Sequence, residues 1–226
     1  MKTKLFAMTE QIGASLPAAE AARPPSSTSR TATFFPLGFP MEITTNSGDV
    51  LEAAAESWGN FVQTSDESPA RLDIHVEAGP AQIPGPPRFQ WRGHLMSIVS
   101  DAANFAVCDF RANCAFFWIN AAVAANRGFL RYYFLDAAAL TLVQQSHLAP
   151  LHGGLVARNG RGVLLCGESG AGKSTLAYAC ARAGWTLIAD DGTFLVRRHA
   201  ACYGIGNYRA IRLRDGARRL FPELAG

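Results

Sequence analysis

Nine consecutive residues, Gly167-Glu168-Ser169-Gly170-Ala171-Gly172-Lys173-Ser174-Thr175, do most to limit what this chain can fold into. They fit the phosphate-binding pattern G-x-x-x-x-G-K-[ST], which has meaning only between a strand and a helix. Both are expected here. Val163-Leu164-Leu165-Cys166 is a short apolar run of the kind a buried parallel strand carries. Residues 174–183 have helix-forming composition, with Leu176, Ala177, Cys180 and Ala181 on one face. Gly184 follows, where a helix commonly stops on a left-handed residue. Between strand and helix, Gly167, Gly170 and Gly172 let the backbone turn so that successive N–H groups converge on an anion, and the positive end of the helix adds to the same field. In such a loop Lys173 reaches the outer phosphates of a nucleotide and the Ser174 hydroxyl ligates Mg²⁺. The run 167–175 is therefore read as a nucleotide-phosphate cradle.

Residues 185–189 (Trp185-Thr186-Leu187-Ile188-Ala189) read as a second buried strand, and it delivers Asp190-Asp191 at its end. A right-handed crossover would make the two strands parallel and set their carboxyl ends on one edge, where open α/β sheets bind ligands. One carboxylate can then hold Mg²⁺ while the other takes a proton from an attacking hydroxyl. Asp191-Gly192 is also a turn signal, so an Asp pair that only caps a turn is the plainer alternative.

Taken together, Leu151-His152-Gly153-Gly154-Leu155-Val156, the loop GESGAGKST, and Ala189-Asp190-Asp191 resemble the catalytic core of the HPr kinase/phosphorylase family. The spacings are similar too, with fifteen positions from His152 to Gly167 and seventeen from Lys173 to Asp190. Ile211-Arg212-Leu213 adds a later likeness, and the resemblance covers residues 150–222, about a third of the chain. It implies an α/β fold: a P-loop nucleotide domain of the HPr-kinase/PEP-carboxykinase-like type over residues 150–226, preceded by a small α+β domain. It also implies an ATP- and Mg-dependent serine kinase acting on a small protein or peptide, with pyrophosphate an alternative donor and self-assembly open. By position, Asp190 is the candidate base, His152 its neighbour, Lys173 the phosphate clamp and Ser174 a metal ligand. Asp191 supports the site or the metal. Without the family pattern, His152 reads as a core or turn histidine. Thirty-five residues follow Asp191, and the further strands and acidic metal-binding segment of the family are not found in them. The kinase-like part is thus expected to be incomplete, and a non-catalytic nucleotide-binding switch or assembly partner stands as the second reading.

Composition bounds the rest. The chain has 226 residues and is 49% hydrophobic, enough for one large or two small domains with a real core. A net charge of +3 does not argue for nucleic acid as a partner. Seven arginines (197, 198, 209, 212, 214, 218 and 219) cluster near the end, a pattern more often a solvated surface than an acidic-ligand site. Five cysteines show no metal-like spacing, and Cys166 and Cys180 read as small core residues. No membrane span or signal-peptide core is legible, so the cytoplasm is the expected compartment.

In chain order, residues 1–32 read as a flexible tail and 33–149 as the accessory α+β domain. Strands are expected at 41–45, 72–77, 95–99, 105–110 and 115–119, the last three as an antiparallel meander. Helices are expected at 50–61 and 129–145, with Val50, Leu51, Ala54, Trp58 and Phe61 on the buried side of the first. In the second, Leu130, Tyr133, Phe134, Ala137 and Leu140 line one face, and the helix is expected to pack against the nucleotide domain. Residues 80–87 read as a loop.

Overall fold

Alternating apolar residues bury one face of a strand only if a sheet forms and something covers it. The computed structural model, which describes residues 29–198, 201–206, 211–213, 216–217, 220–221 and 223, has one large sheet covered in this way and is mixed α/β. β1 (Arg30–Phe34) pairs antiparallel with β2 (Met41–Thr45), and α1 (Gly48–Trp58) carries the chain over to β3 (Ala70–Glu77), parallel to β2. β4 (Arg88–Arg92), β5 (Leu95–Asp101), β6 (Asn104–Asp109) and β7 (Cys114–Asn120) form an antiparallel meander that brings β7 parallel to β3. The seven-stranded order is β1-β2-β3-β7-β6-β5-β4.

Met41, Ile43, Leu72, Ile74, Met96, Ile98, Phe117 and Ile119 point to one face of this sheet and are buried. Covering them are α1 and a helical run made of α2 (Ala121–Ala125), α3 (Arg127–Leu130), a π-helical turn (Arg131–Leu135) and α4 (Asp136–His147). Asn120 starts the run, its Oδ1 accepting from the Val123 N–H at 2.9 Å.

The remaining elements are β8 (Ala149–His152), β9 (Gly154–Arg158), β10 (Arg161–Leu165), α5 (Lys173–Arg182), β11 (Thr186–Ala189), β12 (Gly192–Arg198) and β13 (Ala201–Gly206). They make two three-stranded sheets, β10-β9-β11 and β13-β12-β8. Phe194 and Val196 of β12 join the same apolar cluster as α4, so the core reaches the sheet that carries β8 and β12.

Several expectations change. Residues 30–32 belong to β1 rather than to a tail, while residues 1–28 and the arginines at 209, 214, 218 and 219 lie outside the described residues. The helix expected at 129–145 contains a π turn, and α1 ends at Trp58, before Phe61. β10 is not buried between parallel neighbours: among the described residues it pairs with β9 alone, antiparallel, and Val163 stays 43% exposed. For the same reason Cys166, just past that edge strand, is exposed rather than core, and Cys180 is only half-buried. On α5 only Ala177 of the expected apolar face is buried, and Leu176 is exposed.

Candidate active site

Both β10 and β11 run antiparallel to β9, so they are parallel to each other with β9 between them. Gly154, at the start of β9, pairs with Leu165 at the end of β10, and Leu155 pairs with Ala189 at the end of β11. The glycine loop and the Asp pair therefore leave the sheet at one edge, although their strands are not adjacent. The third partner arrives through β8, whose His152 faces Gly192 of β12 and so lies beside Asp191. Two bonds staple this corner: the Gly153 N–H donates to the Asp191 carbonyl at 2.9 Å, and the buried Thr193 hydroxyl donates to the Gly153 carbonyl at 2.7 Å. A Cβ on Gly153 would sit 2.9 Å from the Leu165 carbonyl oxygen, so only glycine lets β8 turn this close to β10.

The loop between β10 and α5 turns through Gly170 and Gly172, at φ +89° and +90°. Gly172 is the residue before the first turn of α5, and a Cβ there would meet nothing within 4 Å, so it is backbone conformation that requires glycine. The Lys173 ammonium folds back over the loop and donates to the carbonyls of Gly167 (2.8 Å) and Glu168 (3.1 Å). At its far end α5 closes as expected: Gly184 has φ +81° and donates to the Ala181 carbonyl, while the Trp185 N–H reaches Cys180.

Loop, Asp pair and histidine surround one open cavity of about 350 Å³. His152, Ser169, Gly170 and Gly172 line it, as do Lys173, Ser174, Thr175, Asp190 and Asp191. Gly167, Glu168 and Ala171 do not reach its wall. They shape the loop instead, the first two through Lys173 and the third through an Ala171 N–H to Glu168 carbonyl bond of 3.1 Å.

The two aspartates are not alike. Asp190 is only 6% exposed; its Oδ2 accepts from the Arg212 main-chain N–H at 2.9 Å, and its Oδ1 is buried with no hydrogen-bond partner among the described residues. Asp191 is open to solvent and its Oδ1 lies 3.0 Å from His152 Nδ1, also exposed. The histidine expected beside Asp190 thus contacts its neighbour, because the β8–β12 pairing presents Asp191 to His152 while Asp190 turns inward to Arg212.

Arg212 and Leu213 also line the cavity. Their contribution includes a backbone N–H, which carries no residue-type signal; only the likeness of Ile211-Arg212-Leu213 to relatives pointed there. Of the other clustered arginines, Arg197 is exposed on β12.

Ser174, Asp190 and Asp191 offer oxygen donors only, which is what Mg²⁺ takes, and Mg²⁺ is commonly held by one or two carboxylates with phosphate oxygens and water completing the shell. Asp190 Oδ1 is a buried acceptor without a hydrogen-bond partner among the described residues, so the residues fit that ion. Among the described residues no group of three or more His, Cys, Asp or Glu forms a self-sufficient metal site. No helix among them is long and apolar enough to cross a membrane.

With this geometry in hand, two likenesses are informative. Residues 133–210 match the family model described as SynChlorMet cassette protein ScmC. The chain is also 44% identical over 66 residues to an HPr kinase/phosphorylase of Halalkalibacterium halodurans, a stretch covering 28% of this chain and 21% of that protein. The chain thus spans about a fifth of the length of the curated relative it matches. The likeness to an HPr kinase/phosphorylase is therefore partial, and the family model that matches is a different one.

Proposed function

We propose that the cavity transfers the terminal phosphoryl group of ATP, with Mg²⁺, to a serine hydroxyl of a small protein or peptide. The observation that carries this reading is the meeting of Lys173, Ser174, Asp190, Asp191 and His152 around one open cavity. The partial likeness to an HPr kinase/phosphorylase supports it.

In this reading the fold is a P-loop nucleotide domain of the HPr-kinase type, and loop residues 167–175 wrap the phosphates. Lys173 leaves the Gly167 and Glu168 carbonyls to clamp the outer phosphates. Ser174 and Asp191 would hold Mg²⁺, which when bound offsets charge developing on the phosphate oxygens, and Asp190 stays available as the base. Asp190 takes the proton of the attacking serine through Oδ1, the oxygen that has no hydrogen-bond partner among the described residues. The new bond joins the serine oxygen to phosphorus, the bond from phosphorus to the bridging oxygen breaks, and ADP leaves with that oxygen. His152 holds Asp191 in place through its Nδ1.

Incubation with γ-labelled ATP, Mg²⁺ and a panel of serine-containing peptides tests this. Label should pass to peptide, and Asp190→Asn should lower the rate by about 10²–10⁴-fold. Unchanged transfer by Asp190→Asn removes the assigned base. Saturable ATP binding lost in Lys173→Ala, with no transfer to any acceptor, would favour the non-catalytic switch instead.

A further inference from the structure

β4 ends the seven-stranded sheet, so among the described residues one side of its backbone faces no partner strand. All five of its residues, Arg88-Phe89-Gln90-Trp91-Arg92, are exposed. The pairing with β5 sets Phe89 opposite Ile98 and Trp91 opposite Met96, on the face that is core elsewhere. The two rings lie 6.3 Å apart and remain 37% and 59% exposed, an apolar shelf continuing the core face outward along the sheet edge. The other face of the strand carries Arg88, Gln90 and Arg92, and neither arginine has a carboxylate within 4.0 Å among the described residues.

We propose that β4 is a docking edge for an extended peptide that adds as a further strand, carrying carboxylates opposite Arg88 and Arg92 and apolar side chains between them. Strand addition supplies main-chain hydrogen bonds, and alternate side chains supply selection. The residues that meet Arg88 and Arg92 lie four apart on one face of the incoming strand, and those that meet Phe89 and Trp91 lie on the other. The fitting pattern is acidic–apolar–any–apolar–acidic. Charge excludes the obvious rival. If two copies paired antiparallel about Gln90, each Arg88 would face an Arg92 and four guanidinium groups would share one face, a repulsive arrangement.

The proposal goes beyond the kinase reading, and its test needs no catalysis. The probe is a fluorescent peptide containing Glu-Val-Thr-Val-Glu, with Lys-Val-Thr-Val-Lys as its control, titrated into the full chain. Saturable binding of the acidic peptide is expected, with slowed amide exchange at residues 88–92. The double variant Arg88→Glu/Arg92→Glu should weaken acidic-peptide binding by about tenfold and improve binding of the lysine peptide. Absence of binding, binding without protection at 88–92, or protection that arises from self-association without peptide would each overturn it. ATP binding by the same protein and its Lys173→Ala variant, measured in parallel, reports on the phosphate loop separately. Loss of one result with retention of the other shows which claim has failed.

Discussion

The main-chain N–H of Arg212 donates to Oδ2 of Asp190 at 2.9 Å, across 22 residues of sequence. That bond is made to a carboxylate only 6% exposed, and it leaves Oδ1 buried without a hydrogen-bond partner among the described residues. Burying a carboxyl group with one oxygen left unpaired costs free energy whatever use that oxygen serves.

Because the donor is backbone, the side chain of Arg212 can change without losing it. Arg212→Ala should leave stability within about 0.5 kcal/mol. Arg212→Pro removes the N–H and should cost about 1.5–3 kcal/mol, the usual range for a hydrogen bond to a charged group. Urea unfolding of the two variants beside the parent measures the difference. Equal stability of the proline and alanine forms would mean that the bond contributes nothing in solution.

The cysteines should separate sharply in reactivity. Burial, with a smaller contribution from Cys114, pushes the Cys108 thiol up to about 12, and burial raises Cys114 as well. The nucleophile is the thiolate, and at pH 8 roughly one Cys108 thiol in ten thousand is ionised. Cys166 and Cys202 are exposed. Iodoacetamide at pH 8 followed by peptide mass spectrometry should label Cys166 and Cys202 in the native protein, and Cys108 and Cys114 only after denaturant is added. Labelling of Cys108 at the rate of Cys202 in native protein would contradict the burial.

The glycine loop and the Asp pair were legible because each is a local signal, a nine-residue motif and an acidic pair at a strand end. The meander was legible because period-two alternation marks a half-buried strand. Pairing partners were not. Nothing in Val163-Leu164-Leu165 says that β9 will lie between β10 and β11, or that β10 will be left at an edge, since a short apolar run does not name the strands that flank it. The strand at Arg88–Arg92 did carry a signal, alternating charged or polar residues with aromatic ones. The inward turn of Asp190 could not be read at all, because it depends on a backbone group 22 residues later.

Acid should weaken the clasp that ties α1 to α3 and the π turn. Hydrogen bonding from Arg127, with charge attraction and a second bond from Arg131, holds the Glu56 carboxyl below its ordinary value of 4.5. A carboxyl lowered in the folded state adds stability above its unfolded value, and that contribution fades as pH falls through the lowered folded one. Urea midpoints of the parent and Glu56→Gln should therefore differ at neutral pH and converge as pH drops below 4.5. The group is solvent-exposed, so added salt should also narrow the gap. A gap that widens in acid would reverse the assigned sign.

The buried bond from Trp58 Nε1–H to Asp136 Oδ1, 2.9 Å long and spanning 78 residues, ties α1 to α4 across the core face. Trp58 is 1% exposed, so its ring contributes packing as well as a donor. Trp58→Phe keeps an aromatic ring but deletes the N–H, and should lower unfolding free energy by at least about 1.5–3 kcal/mol. Asp136→Asn keeps an oxygen acceptor but discharges it, so the N–H bond becomes neutral and a smaller loss is expected, near about 1 kcal/mol. A double-mutant cycle of Trp58→Phe with Asp136→Ala, each of which removes the bond, separates it from the packing: a coupling energy of about 1 kcal/mol or more assigns the loss to the pair. Simple additivity would place it in the packing of the ring and leave the α1–α4 tie without energetic weight.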